Sequence, residues 1–147
     1  IAKNGVPDIM VGHSLGAAAA VMSSALHGTP LPAKMILLGV FAESTRVIRD
    51  FGKLLGLSEG VIQAIFKEIE KRSGMPIEHY SVLQKAALLK SVRALIIHDA
   101  DDEVAPVMEG RLIADAWEAT YLQTSGFGHR LQDKSVVKAV VDFSLLA

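Results

Sequence analysis

Four short, mainly apolar runs, at residues 9–12, 35–40, 94–98 and 120–122, alternate along the chain with longer stretches in which apolar residues recur every three or four positions. A mainly apolar run of three to six residues is too short for a buried helix, and it lacks the alternation of a strand with one face in water. It fits a strand covered on both faces. Strands separated by helices are joined by crossovers, so the pattern predicts an α/β fold: a parallel sheet with helices on both faces. The helical stretches are an alanine-rich segment running to about Leu26, a long region between the second and third strands, 107–117 and 134–145. Breaks fall where turn chemistry places them, at 28–32, 74–76 and 125–128.

The chain has 147 residues, enough for one domain with a real core, and no composition shift or repeat marks a boundary. Half of the residues are hydrophobic, 21% are charged and the formal net charge is −1, the profile of a globular protein rather than a disordered one. Its fifteen Lys and Arg are scattered, without the basic stripe of a nucleic-acid binder. The apolar runs fall short of the roughly 20 residues that cross a bilayer, so neither a nucleic acid nor a membrane is expected as partner. Without cysteine there is no disulfide framework and no thiolate nucleophile. No targeting signal is visible, and the cytoplasm is the default expectation.

The region 42–90 is longer than one crossover requires. One segment from Thr45 places Val47, Ile48, Phe51, Leu54 and Leu55 on a single face and stops near Gly56. Ser58 is positioned to cap a second, with Val61, Ile62, Ile65, Phe66 and Ile69, ending near Gly74. A third begins at Ser81, where Ser81, Val82, Leu83 and Gln84 fit a capping box. One helix must complete the crossover, so the other two form a helical, lid-like insertion. Their apolar stripes either face a substrate pocket or pack against each other.

Residues 11–20 read VGHSLGAAAA. A serine hydroxyl is a weak nucleophile until a base takes its proton, and the base needs an uncovered hydroxyl. Gly12-His13-Ser14-Leu15-Gly16 supplies that exposure: a strand turns abruptly into a helix with Ser14 at the tip. The N–H of Leu15, at the helix N-terminus, is then placed to stabilise an oxyanion. The same pattern also suits a helix-capping serine beside packing glycines.

In its strand-to-helix setting this pentapeptide resembles the nucleophile elbow of the serine α/β-hydrolases. The resemblance implies an α/β-hydrolase type fold with a triad in the order Ser, acid, His. It covers the C-terminal half of that fold, from the elbow onward. Residues 1–147 are thus read as the C-terminal part of a single domain, with the N-terminal strands and the second oxyanion donor outside the chain, which opens at Ile1 without an initiator Met. Ala17 stands where many members have a further Gly.

After the third strand comes DADDEVAP, residues 99–106, similar to the family's acid loop, in which an Asp stands two residues before a Val and four before a Pro. That register selects Asp102, with Asp101 as runner-up and Asp99 in a position where the family usually has Gly. After the fourth strand, SGFGH at 125–129 presents His129 behind a glycine, as the family presents its base. An imidazole titrates near neutrality, so it can both take and return the proton. Of the other histidines, His13 packs beside the elbow, His27 ends a helix, His79 lies in a loop, and His98 is the neighbour of the acid and the only rival base.

The expectation is a serine hydrolase cleaving an ester or related acyl bond of a small-molecule substrate, with Ser14 as nucleophile, His129 as base, Asp102 as acid and the Leu15 N–H in the oxyanion hole. It calls for no cofactor and no metal. A peptidase, thioesterase or acyltransferase would use the same triad, and a non-catalytic ligand-binding protein could keep the scaffold. A strand at 9–12 open on one side implies either association with an N-terminal half or a homodimer formed through that strand.

Overall fold

The computed structural model describes residues 5–26 and 30–146. Its four-stranded sheet runs in the order β1 (Ile9–His13), β2 (Lys34–Leu38), β3 (Arg93–Asp99) and β4 (Thr120–Thr124), and every pairing is parallel. The helices are α1 (Leu15–Leu26), α2 (Ser44–Leu54), α3 (Glu59–Ser73), α4 (Val82–Ala86), α5 (Val107–Trp117) and α6 (Lys134–Leu145). No helix among the described residues is long and apolar enough to cross a membrane.

The continuous apolar runs are explained by two cores, one on each side of the sheet. Met35, Leu37 and Ile96 point to one face, where Ala17 and Val21 of α1, Val82 and Ala86 of α4, and Ile113 and Trp117 of α5 cover them. Ile36, Leu95 and Ile97 point to the other, against Val136 and Phe143 of α6. A strand with both faces occupied favours apolar side chains at successive positions. The alanines at 17, 18 and 20 bury the side of α1 that meets the core, and the Trp117 indole N–H reaches its acceptor in the Val92 carbonyl at 3.0 Å.

Strand ends differ from the apolar runs for local reasons. β2 stops at Leu38, because Gly39 turns the chain at φ +54°. At their C-terminal ends β3 extends beyond its run to Asp99 and β4 beyond its own to Gln123 and Thr124, with Asp99 and Thr124 paired in the ladder. Polar side chains hide these positions from a reading based on hydrophobicity. The break at 28–29 and the helix-terminal reading of His27 lie outside the described residues.

Between β2 and β3, five-residue α4 completes the crossover, and α2 and α3 are the surplus helices. They form a unit with its own small core of Ile62, Phe66 and Ile77. Its neck is stitched where the chain leaves and returns: Val82 and Leu83 donate to the Ala42 carbonyl, Ser44 Oγ to the Tyr80 carbonyl and Ser81 Oγ to Glu43. Arg46 on α2 pairs with Glu109 on α5, which also accepts the Ala42 N–H. Ser81 caps α4 by accepting from the Gln84 N–H, but the reciprocal arm of the expected box is missing because the Ser81 N–H goes to Glu78. Ser58 occupies the N-cap of α3 without a side-chain cap bond. Gly74 closes that helix in the left-handed conformation, as its sequence position suggests.

Candidate active site

Each of the four parallel strands delivers a residue to the same edge of the sheet, its C-terminal edge, where open α/β sheets bind ligands. Ser14 follows β1, Gly39 follows β2, the acid loop follows β3 and the His129 turn follows β4.

Ser14 sits at φ +50°, in the left-handed region that non-glycine residues rarely adopt. Its N–H donates to the Leu38 carbonyl at 2.8 Å, and its own carbonyl accepts from Ala18 at 3.1 Å, so the turn is fixed to β2 on one side and to α1 on the other. Gly12 makes the turn sterically possible: a Cβ there would lie 2.6 Å from the Ala17 Cα. The two flanking glycines are not equivalent, because a Cβ on Gly16 would meet open space among the described residues. As the first residue of α1, Leu15 has an N–H with no intrahelical acceptor.

His129 lies in a 3₁₀ turn, Gly128–Arg130. Its Nε2 is 2.9 Å from Ser14 Oγ, and its Nδ1–H donates to Asp102 Oδ2 at 2.8 Å. Gly39 leaves room for the ring, since a Cβ at that position would stand 3.3 Å from both Cε1 and Nδ1. Asp102 Oδ1 accepts the N–H groups of Val104 and Ala105, both at 2.8 Å. Burial disfavours the charged carboxylate, but the Ala105 N–H, the His129 ring and the Val104 N–H together outweigh it and hold its pKa below the ordinary value. The arrangement keeps an ionised acceptor behind an imidazole whose free nitrogen faces a hydroxyl.

Asp101 is elsewhere, accepting the Gly126 N–H at 2.7 Å, and Glu103 is exposed. His98 is buried without reaching Ser14, so it does not stand in for His129 as a base. His79 lies in a 3₁₀ turn, Ile77–Tyr80, edge-on to Tyr80.

Two residues gain structural parts that sequence reasoning did not assign. Asp99, fully buried, accepts from the Thr124 hydroxyl at 2.6 Å and from the N–H groups of Asp101, Phe127 and Gly128. It thereby ties the turn that carries His129 to the end of β3. Burial opposes its charge, yet the Thr124 hydroxyl and the three N–H donors lower its pKa. His13 donates from Nε2 to the His129 carbonyl at 2.7 Å, with the two rings 5.0 Å apart, so it braces the base as well as packing beside the elbow. The visible signal for Asp99 was an acid directly after the mainly apolar strand run at 94–98.

Two apolar clefts meet at Leu15, the residue after Ser14 and 70% exposed. One, of about 390 Å³, is bounded by Leu15 with Val47, Ile48, Phe51, Leu55 and Ile65 of the insertion. The other, of about 250 Å³, lies between Ala18, Ala19 and Met22 of α1 and Phe41, Ile77 and Tyr80. The insertion stripes therefore divide: Phe51 faces a cleft, whereas Ile62 and Phe66 are buried in the insertion's own core.

No protein-family model and no curated protein sequence matches the chain. Solved structures do. A Mycobacterium tuberculosis protein assigned as the non-heme bromoperoxidase BpoC is 21% identical, with a TM-score of 0.62 over 93% of this chain and 66% of its own. The esterase domain of a Rhodothermus marinus protein is 13% identical, with a TM-score of 0.63 over 93% and 57%. A thermophilic esterase of Thermogutta terrifontis, solved with butyrate bound, is 16% identical, with a TM-score of 0.63 over 92% and 54%. The chain thus spans between half and two thirds of the length of these structures.

Proposed function

From the α/β-hydrolase fold of this chain, we propose that it carries the triad of a serine hydrolase acting on an ester or a related acyl bond. The observation that carries the reading is the unbroken hydrogen-bonded series from Ser14 Oγ through the His129 ring to Asp102.

In this reading His129 Nε2 takes the Ser14 proton as Oγ attacks the carbonyl carbon, and the buried, ionised Asp102 stabilises the resulting imidazolium. The Leu15 N–H, at the positive end of α1, receives the developing oxyanion. His129 then protonates the leaving alcohol, which departs and leaves an acyl group on Ser14. A water enters, gives its proton to His129 and attacks the acyl carbon. Collapse of the second tetrahedral species releases the acid and returns the proton to Ser14. No step calls on a metal or an organic cofactor.

The two apolar clefts at Leu15 favour a substrate with apolar acyl or aryl groups over a polar peptide. Peptidase, thioesterase and acyltransferase activities use the same acyl-enzyme step, and the leaving group separates them.

The test is labelling of the intact protein by a fluorophosphonate probe, beside Ser14→Ala. Stoichiometric labelling that the substitution abolishes, with turnover of aryl esters lost in parallel, is the expected result. An unlabelled wild-type protein would remove the hydrolase reading and leave the scaffold as a binding protein.

A further inference from the structure

His98 is 0% exposed, lies on β3 four residues before Asp102, and takes no part in the proton relay. Its Nε2 stands 2.8 Å from the Ala105 carbonyl oxygen and 3.3 Å from Asp102 Oδ2. Since a carbonyl oxygen only accepts, Nε2 carries a proton, which it donates to Ala105, and the edge of the ring lies against the Asp102 carboxylate. Nδ1 is buried with no hydrogen-bond partner among the described residues. An apolar side chain at this position would not incur that cost.

A second cost stands beside the first. Gly110 lies inside α5, where glycine is unfavourable, and a Cβ there would come 2.3 Å from His98 Nδ1. An unpaired buried nitrogen and a helix glycine thus serve one imidazole. What the imidazole provides is a hold on the acid: it anchors Ala105, whose N–H grips Oδ1, and its Nε2 stands 3.3 Å from Oδ2. Apart from His129, it is the basic side chain within 4 Å of that carboxylate among the described residues.

We infer that His98, seated against Gly110, is a positioning residue that fixes the Asp102 carboxylate in its alignment with His129. The kinetic part of this inference rests on the serine hydrolase reading; the alignment itself does not.

The test compares His98→Gln, whose amide nitrogen reaches the place of Nε2, with His98→Asn, whose amide stops near that of Nδ1. Both bury an amide, so a role in packing alone predicts equal effects. Two readouts are taken on the intact protein: kcat and KM for an aryl butyrate, and the low-field proton resonance of the His129 Nδ1–H bonded to Asp102. Expected are most of the wild-type kcat and an unmoved resonance for His98→Gln. For His98→Asn, kcat falls by about 10- to 100-fold at nearly unchanged KM, and the resonance shifts or broadens, since a small misplacement of a reacting group costs of that order. Gly110→Ala, which retains the imidazole but displaces it, is expected to follow His98→Asn and covers the case in which that variant does not fold. Equal kcat and equal resonances in all three variants would overturn the inference while leaving the hydrolase reading intact. A protein that neither labels at Ser14 nor turns over ester, yet loses the resonance in His98→Asn and not in His98→Gln, would remove the hydrolase reading and keep the positioning role.

Discussion

Ser14, Asp102 and His129 are held by different means, and each means has a consequence. The serine is placed by backbone strain, the acid by N–H donors, and the base by the turn that Asp99 and His13 brace. Groups that act as one unit lose their effect together. Asp102→Asn and His129→Ala are each expected to lower kcat by about 10³- to 10⁴-fold, and the double variant by little more than the worse single one. Steady-state kinetics on the three variants checks this, and multiplied losses would show that the two side chains do not cooperate. Asp99 carries a pH prediction. Its carboxylate has a folded pKa below the ordinary 3.8, so ionisation favours the folded state. The stabilisation is fully present above the unfolded value and is lost as the pH falls through the folded one. Thermal melts of wild type and Asp99→Asn should therefore differ most near neutrality, and the gap should close in acid below about pH 4. A gap independent of pH would mean that the charge of Asp99 contributes nothing.

At the level of elements, the insertion between β2 and β4's neighbour β3 is a small core attached to the sheet through a stitched neck. Phe66 belongs to that core and is 6% exposed, whereas Phe51 is 60% exposed and lines the larger cleft. The two phenylalanines should therefore respond differently to truncation. Phe66→Ala removes a buried ring and is expected to cost about 3 kcal/mol of stability, with acyl-chain preference unchanged. Phe51→Ala should leave the melting temperature nearly unaltered and change the ranking of short against long acyl esters, because it widens the cleft beside Leu15. A chain-length series on both variants decides the matter; loss of activity in equal proportion across the series for Phe51→Ala would make that ring a surface feature.

For the molecule as a whole, the sheet edge formed by β1 matters most. Among the described residues β1 pairs with β2 alone, and Val11 on that strand is 52% exposed. A strand with an unpaired row of N–H and C=O groups tends to acquire a partner strand. The isolated 147-residue chain is accordingly expected to run larger than its 15.7 kDa in light scattering, and a two-fold pairing of β1 with its copy would be antiparallel. On the proposed reading it should also be a weak esterase: among the described residues the Leu15 N–H is the donor assigned to the oxyanion, and working without a second donor costs about 10²- to 10³-fold in kcat. A monodisperse monomer with full turnover would contradict both expectations.

Local patterns in the chain determined the elements. Continuous apolar runs gave buried parallel strands, glycine and proline gave the breaks, and the change from an apolar run to alanine-rich sequence at residues 12–16 gave a tight strand-to-helix turn around Ser14. These features rest on interactions between residues a few positions apart. Tertiary structure decided the rest. Ser14 and His129 are 115 residues apart and His129 and Asp102 are 27, so their contact depends on the strand order that brings four loops to one edge. Spacing alone left Asp101, Asp102 and Asp99 as neighbours on one loop. The fold separates them, sending Asp101 to Gly126, Asp99 to the base of the His129 turn and Asp102 to the imidazole. Whether Phe51 or Phe66 faces a cleft was equally beyond a helical stripe, because periodicity tells which residues share a face, and only the packing of one element on another tells what that face meets.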